Sequence, residues 1–357
     1  MRLARGRAWS EEDLVRLIRR IFPIPRRQVP VSIGDDAAVL CLPRASRLVL
    51  TTDQMVEGIH FRRSTHPPHL LGEKALAVNL SDLAAMGALP RWALLSLFLP
   101  PDLSRADLEA VLRGMARRAR QSRVELIGGN ITVSKVLALD LALVGTLAAG
   151  ARPLLRRGAR PGDTLFVSGR LGGSATGLYL LEGGWRWRRG SAWKRGAPPD
   201  MRQPATRALK LHLAPEPQVE IGSLLVRHGL ASAAMDLSDG LSRDLWRLCE
   251  ASGVGARLES NALPLDPSTV KLVGEKEALR LALHGGEDYQ LLFTVRRSRR
   301  RELSRYLPSG RLYPIGRIVP KQEGIMLEDE AGRARPLLPL GYDHFRASRT
   351  PQGSRRR

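Results

Sequence analysis

A segment rich in glycine, proline and arginine, Ala148 to Gly162, divides the chain into two halves. Each half has its own strand-like and helix-like patterns, and neither shows the strict alternation of strand and helix that a purely parallel sheet requires. The length of 357 residues also favours two domains. We therefore expect a mixed α/β (α+β) fold with domains at 1–150 and 151–345, followed by a basic disordered tail at 346–357.

The positive charge of the chain is its most unusual compositional property. Lysine and arginine total 57 against 35 acidic residues, which gives a net charge of +22. Such a charge favours contact with phosphorylated ligands, from nucleotides to RNA. The arginines are spread along the whole chain, however, and this argues against a dedicated nucleic-acid-binding face.

The hydropathy pattern predicts neither a membrane span nor a signal peptide. The longest apolar run, Val136 to Ala149, is interrupted by Asp140 and is shorter than the ~20 residues of a span. No apolar segment follows the arginines of Met1 to Ser10. Cys41 and Cys249 are too few for a disulfide framework, and we expect two buried thiols in a cytoplasmic protein.

Local patterns predict the elements that carry the candidate residues. Leu71 to Met86 is rich in alanine and free of proline, which predicts a helix. Ser104 is expected to cap a second helix that runs to Arg120. Arg47 to Thr52 and Val136 to Leu147 predict strands, the latter a central one. Gly183 to Pro199, which contains three tryptophans, is expected to be a basic surface loop.

Carboxylates near the ends of predicted elements are informative in so basic a chain. Asp82 follows Asn79 by one helical turn, so the two side chains share a helix face. Carboxylate and hydroxyl oxygens suit hard cations, and Mg²⁺ combines a few carboxylates with waters and phosphates. Each residue alone could instead cap a helix, form a turn or be solvated. The carboxylates are Asp35, Asp36, Asp53, Asp82, Asp236, Asp239, Glu287 and Asp288.

Glycine-rich segments form a second group of candidates. Gly128-Gly129 follows a predicted strand, and Ser168 to Gly173 joins a strand to a helix. Turns of this kind can present backbone N–H groups to phosphate. The sequence has no Walker A loop, no H-R-D and D-F-G pair and no G-x-S-x-G elbow. The chain would therefore bind a nucleotide without these standard motifs, and no covalent nucleophile is predicted.

Taken in chain order, several motifs resemble those of the thiamine-monophosphate kinase family, which belongs to the superfamily of aminoimidazole-ribonucleotide synthetase. The resemblance covers almost the whole chain. The matching segments are IGDDAA (33–38), TTD (51–53), GIHF (58–61), KALAVNLSDLAAMG (74–87), LIGG (126–129), RRGARPGD (156–163), MDLSDGL (235–241), GGEDY (285–289) and GYDHF (341–345).

The resemblance implies an aminoimidazole-ribonucleotide synthetase-like fold of two α/β domains, with the N-terminal domains paired in a homodimer. It also implies ATP- and Mg²⁺-dependent phosphorylation of thiamine monophosphate to the diphosphate by direct phosphoryl transfer. Several Mg²⁺ ions would be held by Asp36, Thr51, Thr52, Asp53, Asp82, Asn130, Asp236 and Asp239. ATP would be bound by Gly129, Asn130, Arg156 and Ser238. Thiamine monophosphate would contact His60, Glu287 and Tyr342.

Asn130 departs from the family pattern, which has aspartate after the two glycines. An amide oxygen can still approach a cation, but it brings no charge. His60 could instead be a packing histidine beside Phe61. Two alternatives to the kinase stay open: another ATP-dependent synthetase of the superfamily, or a basic nucleic-acid-binding pseudoenzyme. Selenophosphate synthetase would be expected to carry a reactive cysteine and a lysine near the N-terminus, and Met1 to Pro30 contains neither.

Overall fold

The computed structural model describes residues 11–22, 28–30, 32–33, 38–42, 47–306 and 310–342. Asp36 and the tail at 346–357 lie outside these residues, so the expectations for them stay predictions. The helices are α1 (Glu11–Ile21), α2 (Pro68–Ala85), α3 (Arg105–Ser122), α4 (Gly173–Glu182), α5 (Pro199–Leu213), α6 (Val219–Arg227), α7 (Leu241–Ser252), α8 (Pro267–Val273), α9 (Glu275–His284) and α10 (Arg300–Tyr306). The strands are β1 (Arg47–Val56), β2 (Leu89–Leu99), β3 (Glu125–Val133), β4 (Ala138–Leu147), β5 (Thr164–Val167), β6 (Arg186–Arg188), β7 (Ser191–Trp193), β8 (Ala233–Asp236), β9 (Val254–Glu259), β10 (Leu291–Val295), β11 (Tyr313–Pro320), β12 (Ile325–Glu328) and β13 (Ala334–Pro336).

The chain divides into two compact units. The N-terminal unit takes its described residues from 1–83 and 89–150, and the C-terminal unit takes its described residues from 84–88 and 151–357. Across the described residues, no helix is both long enough and apolar enough to cross a membrane.

The N-terminal unit is built on a four-stranded sheet in the order β1-β4-β2-β3. Strand β4 is antiparallel to both β1 and β2, whereas β3 is parallel to β2. The apolar run that contains Asp140 is therefore an interior strand, as its composition predicts. Strands β1 and β3 are the outer strands of this sheet, and this order sets the spacing of the candidate residues they carry.

Helices α2 and α3 of this unit pack closely at two glycines. A Cβ atom on Gly72 would lie 1.9 Å from the carbonyl oxygen of Val111, and one on Gly114 would lie 1.8 Å from that of His69. Residues 70–81 of α2 are all buried, including the charged Glu73 and Lys74 and the polar Asn79 and Ser81. Ser104 caps α3 as predicted, since its Oγ accepts a hydrogen bond from the backbone N–H of Asp107.

The C-terminal unit is built on a seven-stranded sheet in the order β13-β12-β9-β11-β5-β10-β8. Its pairs are antiparallel except β9 with β12. Successive side chains of a strand point to opposite faces of the sheet, so they belong to two different hydrophobic cores. Leu165 and Val167 pack with Leu245 of α7, whereas Phe166 packs with Ile221 of α6. Helices therefore cover both faces of this sheet.

Three expectations from the sequence are corrected by the structure. The predicted loop at Gly183 to Pro199 contains a β6-β7 hairpin, and its Trp185 is buried. Gly128-Gly129 lies inside β3 rather than in a strand-to-helix turn. Cys41 is exposed and only Cys249 is buried, and both are free thiols. Pairing between distant strands and burial both depend on residues far away in sequence, which local patterns do not report.

Candidate active site

The first group of candidate residues joins β1 to α2 in the N-terminal unit. Thr51 Oγ1 donates a hydrogen bond to Asp82 Oδ2 at 2.5 Å. The backbone N–H of Asp53 donates to Asn79 Oδ1 at 2.9 Å. Thr51 and Asp53 share one face of the strand and Asn79 and Asp82 share one face of the helix, as the spacing predicts. Two carboxylates and a hydroxyl therefore lie along one strand–helix junction.

Thr52 points to the opposite face of the same sheet. Its Oγ1 donates to Oδ1 of Asp140 on β4 at 3.0 Å. Sequence reasoning did not select Asp140 as a site residue, although a carboxylate that interrupts the most apolar strand is a signal of a specific role. The structure thus provides a second Thr–Asp pair on the other face of β1.

Asn130 lies on the same face as Thr52 but at the far edge of the sheet. It is exposed on β3 and is paired with Ser96, which is in turn paired with Asp140. Three strand spacings of ~4.8 Å separate β1 from β3, or about 14 Å. Within the N-terminal unit, the structure therefore does not bring Asn130 to Thr52.

Gly129 is required by strand packing at its position in β3. A Cβ atom there would lie 1.9 Å from the carbonyl oxygen of Leu95, its partner on β2. Any larger residue would push the two strands apart. The glycine therefore has a structural reason to be present, independent of any contact with ATP.

His60 is fixed by a turn that follows β1. Its Nδ1 accepts a hydrogen bond from the backbone N–H of Val56 at 3.0 Å. An acceptor nitrogen carries no proton, so the neutral imidazole has its proton on Nε2. The ring is half-buried and presents a donor nitrogen at a defined position.

The second group of candidates surrounds residues 236–240 in the C-terminal unit. Asp236 is buried at the end of β8. The backbone N–H of Glu287 donates to the carbonyl oxygen of Ser238 at 2.8 Å, and that of Tyr342 donates to the carbonyl oxygen of Asp239 at 2.9 Å. The structure therefore brings together one predicted ATP contact, two predicted metal ligands and two predicted substrate contacts.

Asp239 does not cap helix α7, although its position just before the helix would allow it to. Asp244 accepts hydrogen bonds from the N–H groups of Asp239 and Gly240 at 3.0 and 3.1 Å, so it occupies the N-terminus of α7. Burial, and then the charge of Asp239, raise the pKa of Asp244 to about 6. The carboxylate of Asp239 instead pairs with Arg247 at 2.6 Å, a contact that sequence reasoning missed.

The loop that carries Glu287 has an uncommon backbone. Glu287 and Tyr289 have φ angles of 65° and 48°, which side-chain-bearing residues rarely adopt. Between them, Asp288 accepts hydrogen bonds from the N–H groups of Gly172 and Ser174 at 2.8 and 3.2 Å. The predicted phosphate-binding turn thus gives two N–H groups to a carboxylate. Burial raises the pKa of Asp288 to about 7, although the two hydrogen bonds lower this pKa.

Arg156 lies at the other end of α7 from Ser238. Its carbonyl oxygen accepts a hydrogen bond from Ser252 Oγ at 2.9 Å, where α7 ends. A helix of 12 residues is about 18 Å long. The structure therefore does not bring the backbones of these two predicted ATP contacts together, and Arg156 is exposed.

The donor atoms of both groups suit a hard cation. They are carboxylate and hydroxyl oxygens, without a thiol or thioether. Among the described residues, no three histidine, cysteine or acidic side chains gather as a complete metal cage. Mg²⁺ is a hard cation of the kind that these oxygens suit, since it is held by one or two carboxylates and takes its remaining ligands from water and phosphate.

Comparison with known proteins accounts for both units. Residues 34–151 match the N-terminal domain of AIR synthase related proteins, and residues 160–328 match their C-terminal domain. Hydrogenase maturation protein HypE, at 19% identity and a TM-score of 0.69, shares the fold. The protein is thus of the AIR synthase related class, and its expected fold is confirmed.

More similar relatives narrow the assignment. The chain is 39% identical over 329 residues to the thiamine-monophosphate kinase of Salmonella typhimurium, covering 90% of this chain and 93% of that protein. The thiamine-monophosphate kinase of Stenotrophomonas maltophilia K279a matches with a TM-score of 0.76 at 35% identity, covering 90% of this chain and 96% of that one. The structure of AaThiL complexed with AMPPCP and TMP matches at 35% identity and a TM-score of 0.72, covering 85% of this chain and 89% of that one. The chain belongs to the thiamine-monophosphate kinase family.

Proposed function

We propose that the protein transfers the γ-phosphoryl group of ATP to thiamine monophosphate. A phosphate oxygen of thiamine monophosphate attacks the γ-phosphorus, the bond to the bridging oxygen breaks, and ADP and thiamine diphosphate leave. The observation that carries the proposal is that the backbone of Glu287 contacts Ser238 and that of Tyr342 contacts Asp239, in a chain 39% identical to a thiamine-monophosphate kinase.

The reaction brings together two anions, so the site must offset their repulsion and align them. Phosphoryl transfer of this kind depends mainly on positioning and electrostatics. Bound Mg²⁺ supplies charge neutralisation of the phosphate oxygens. The described residues that would hold it are Thr51, Thr52, Asp53, Asp82, Asn130, Asp236 and Asp239. Asp140 is added to this set because its Oδ1 accepts a hydrogen bond from Thr52.

The residues proposed to bind the organic ligands differ in chemistry. His60, with its proton on Nε2, can donate a hydrogen bond to phosphate. Glu287 is acidic and is suited to the cationic thiazolium or the aminopyrimidine of thiamine rather than to phosphate. Tyr342 is exposed and offers an aromatic face. Gly129, Asn130, Arg156 and Ser238 are proposed to contact ATP.

We propose that the N-terminal units pair in a homodimer. Leu48, Leu50 and Leu94 share the face of the sheet that carries Thr52, and they are 38%, 70% and 41% exposed. A cluster of exposed leucines on a sheet face is typical of a protein contact. A cytoplasmic location is also proposed, supported by two free thiols at Cys41 and Cys249.

A direct assay tests the function. The purified chain is incubated with ATP, Mg²⁺ and thiamine monophosphate, and ADP and thiamine diphosphate are measured by chromatography. We expect equal amounts of both products, and no ADP above background when thiamine replaces its monophosphate. ADP release at the same rate with and without thiamine monophosphate would instead favour another ATP-dependent enzyme of the superfamily. Salt-sensitive RNA retention without ATP turnover would favour the nucleic-acid-binding alternative.

A further inference from the structure

His212 contacts the one acidic side chain that is proposed to bind the substrate. Its Nδ1 lies 3.3 Å from Oε2 of Glu287. The histidine side chain is 3% exposed and the glutamate side chain is 28% exposed. The glutamate therefore has one carboxylate oxygen against a buried ring while part of its surface remains open to a ligand.

The position of His212 is set by two closely packed helices. It lies in the last turn of α5, which packs against α4. A Cβ atom on Gly177 of α4 would lie 2.3 Å from the carbonyl oxygen of Ala208 and 2.6 Å from Cβ of His212. The glycine allows the helices to approach, and this approach brings the imidazole beneath the Glu287 loop.

Ser174, in the first turn of α4, completes a buried polar chain. Its Oγ lies 3.2 Å from the same Nδ1 of His212. A Ser-His-acid nucleophile would need the serine on one ring nitrogen and the acid on the other. Here both contact Nδ1, and Ser174 is 1% exposed. The arrangement therefore orients a carboxylate and does not activate a hydroxyl.

The backbone of the loop cannot orient Glu287 by itself. Its left-handed conformation is held by two backbone hydrogen bonds. The N–H of Glu287 donates to the carbonyl oxygen of Ser238, and the N–H of Tyr289 donates to the carbonyl oxygen of Leu237 at 2.9 Å. These bonds fix the Cα position, but the side chain of glutamate has three further rotatable bonds. A buried imidazole nitrogen 3.3 Å from the carboxylate oxygen restricts that freedom before the ligand arrives.

We propose that His212 is a positioning residue, which donates from Nδ1 to the Glu287 carboxylate and so holds it toward the thiazolium and aminopyrimidine of thiamine monophosphate. This inference rests on the proposed function. His212 itself does not touch the reacting phosphates. Its loss should therefore weaken recognition of thiamine monophosphate while recognition of ATP is retained.

Two substitutions of His212 separate positioning from packing. His212→Phe keeps a planar ring and removes both nitrogens, whereas His212→Asn places an amide where Nδ1 lies. We expect His212→Phe to raise the KM for thiamine monophosphate about tenfold, with the KM for ATP within about twofold, because a hydrogen bond to a charged group is lost. His212→Asn should restore most of the affinity. His228→Phe is the matched control, since His228 stacks on Tyr306 away from this chain of contacts.

The outcomes are distinct. If the wild type forms no thiamine diphosphate, the proposed function is wrong, and the inference about His212, which depends on it, is wrong as well. If the wild type is active and His212→Phe leaves the KM for thiamine monophosphate unchanged, or raises both KM values equally, only the inference is overturned. If His212→Phe does not fold, the combination of His212→Leu, which also removes Nδ1, with Glu287→Gln decides: the two effects on the KM for thiamine monophosphate should be non-additive, and additive effects would reject the contact.

Discussion

The hydroxyl group of Thr51 on β1 donates a hydrogen bond of 2.5 Å to Oδ2 of Asp82 on α2. Together with the paired contacts of Asp53 and Asn79, it joins the strand to the helix. The carboxylate is half-buried, and this hydrogen bond fixes the position of one of its two oxygens. This is the geometry expected of an acidic ligand that is oriented before a cation arrives.

Asp82→Asn should lower turnover at least about 100-fold, because a neutral amide attracts Mg²⁺ much less than a carboxylate does. The Thr51 hydrogen bond can still be made to the amide oxygen, so the thermal unfolding temperature should change little. Steady-state rates at saturating Mg²⁺ and a melting curve check both expectations. Asp102→Asn, at an exposed residue of the same unit, is the control. An Asp82→Asn rate equal to that of the wild type would remove Asp82 from the proposed ligands.

Asn130→Asp should shift the Mg²⁺ activation curve to lower concentration, because it adds a charge on the exposed outer strand β3. The measurement is rate against free Mg²⁺ at fixed ATP. Thr132→Asp adds the same charge two residues along, on the same face of the strand, and should leave the curve in place. If both variants shift the curve equally, the effect is general electrostatics and Asn130 is not near a cation.

Arg156→Ala should raise the KM for ATP about tenfold, since a guanidinium on a phosphate makes charge-assisted bonds. The neighbouring Arg157→Ala is the matched control, as both residues are exposed. Deletion of residues 347–357, which carry several arginines, should change catalysis little, because solvated charges beyond ~8 Å are screened at physiological salt. A larger effect of the deletion than of Arg156→Ala would reverse this assignment.

Asp288 should make the protein less stable as pH rises from about 4 to about 7. Its pKa is raised by burial to about 7, so in this range the folded state holds a proton that the unfolded state releases. Asp288→Asn cannot ionise, and its unfolding free energy should decrease less between pH 4.5 and 7.5 than that of the wild type. Urea unfolding at both pH values gives the comparison. A steeper decrease in the variant would contradict the assignment.

Leu50→Asp should dissociate the proposed homodimer, because it places a charge in the exposed leucine cluster of the N-terminal sheet. Light scattering coupled to gel filtration gives the mass of each species. Leu178→Asp alters an exposed leucine of the C-terminal unit and should leave the mass unchanged. A wild type that elutes as a monomer at micromolar concentration would refute the dimer directly.

Several features of the site could be predicted from the sequence because they depend on neighbours in the chain. The one-turn spacing of Asn79 and Asp82 places both on one face of α2, and both do contact β1. Ser104 begins α3 because a side-chain oxygen satisfies an N–H group three residues ahead. The order of the motifs also identified the family, which the comparisons confirm.

Helix α5 shows where local reasoning fails within one element. It begins at Pro199 and contains Pro204, so its composition suggests a loop. Packing against α4 stabilises it, and burial of Ala205 and Ala208 outweighs the local cost of proline. His212 was not among the predicted site residues, because its contact with Glu287 joins two residues that are far apart in the sequence.

The sequence by itself therefore determined the family, the chemistry of the candidate donors and the faces on which neighbouring donors lie. Only the tertiary structure decided that β1 and β3 are opposite edges of one sheet, which separates Thr52 from Asn130. It also decided that Asp239 meets Arg247, and that Ser174 and Glu287 meet on one nitrogen of His212. The physical reason is that strand order and helix packing are selected by burial over the whole unit, while a local pattern records only the period of its own strand or helix.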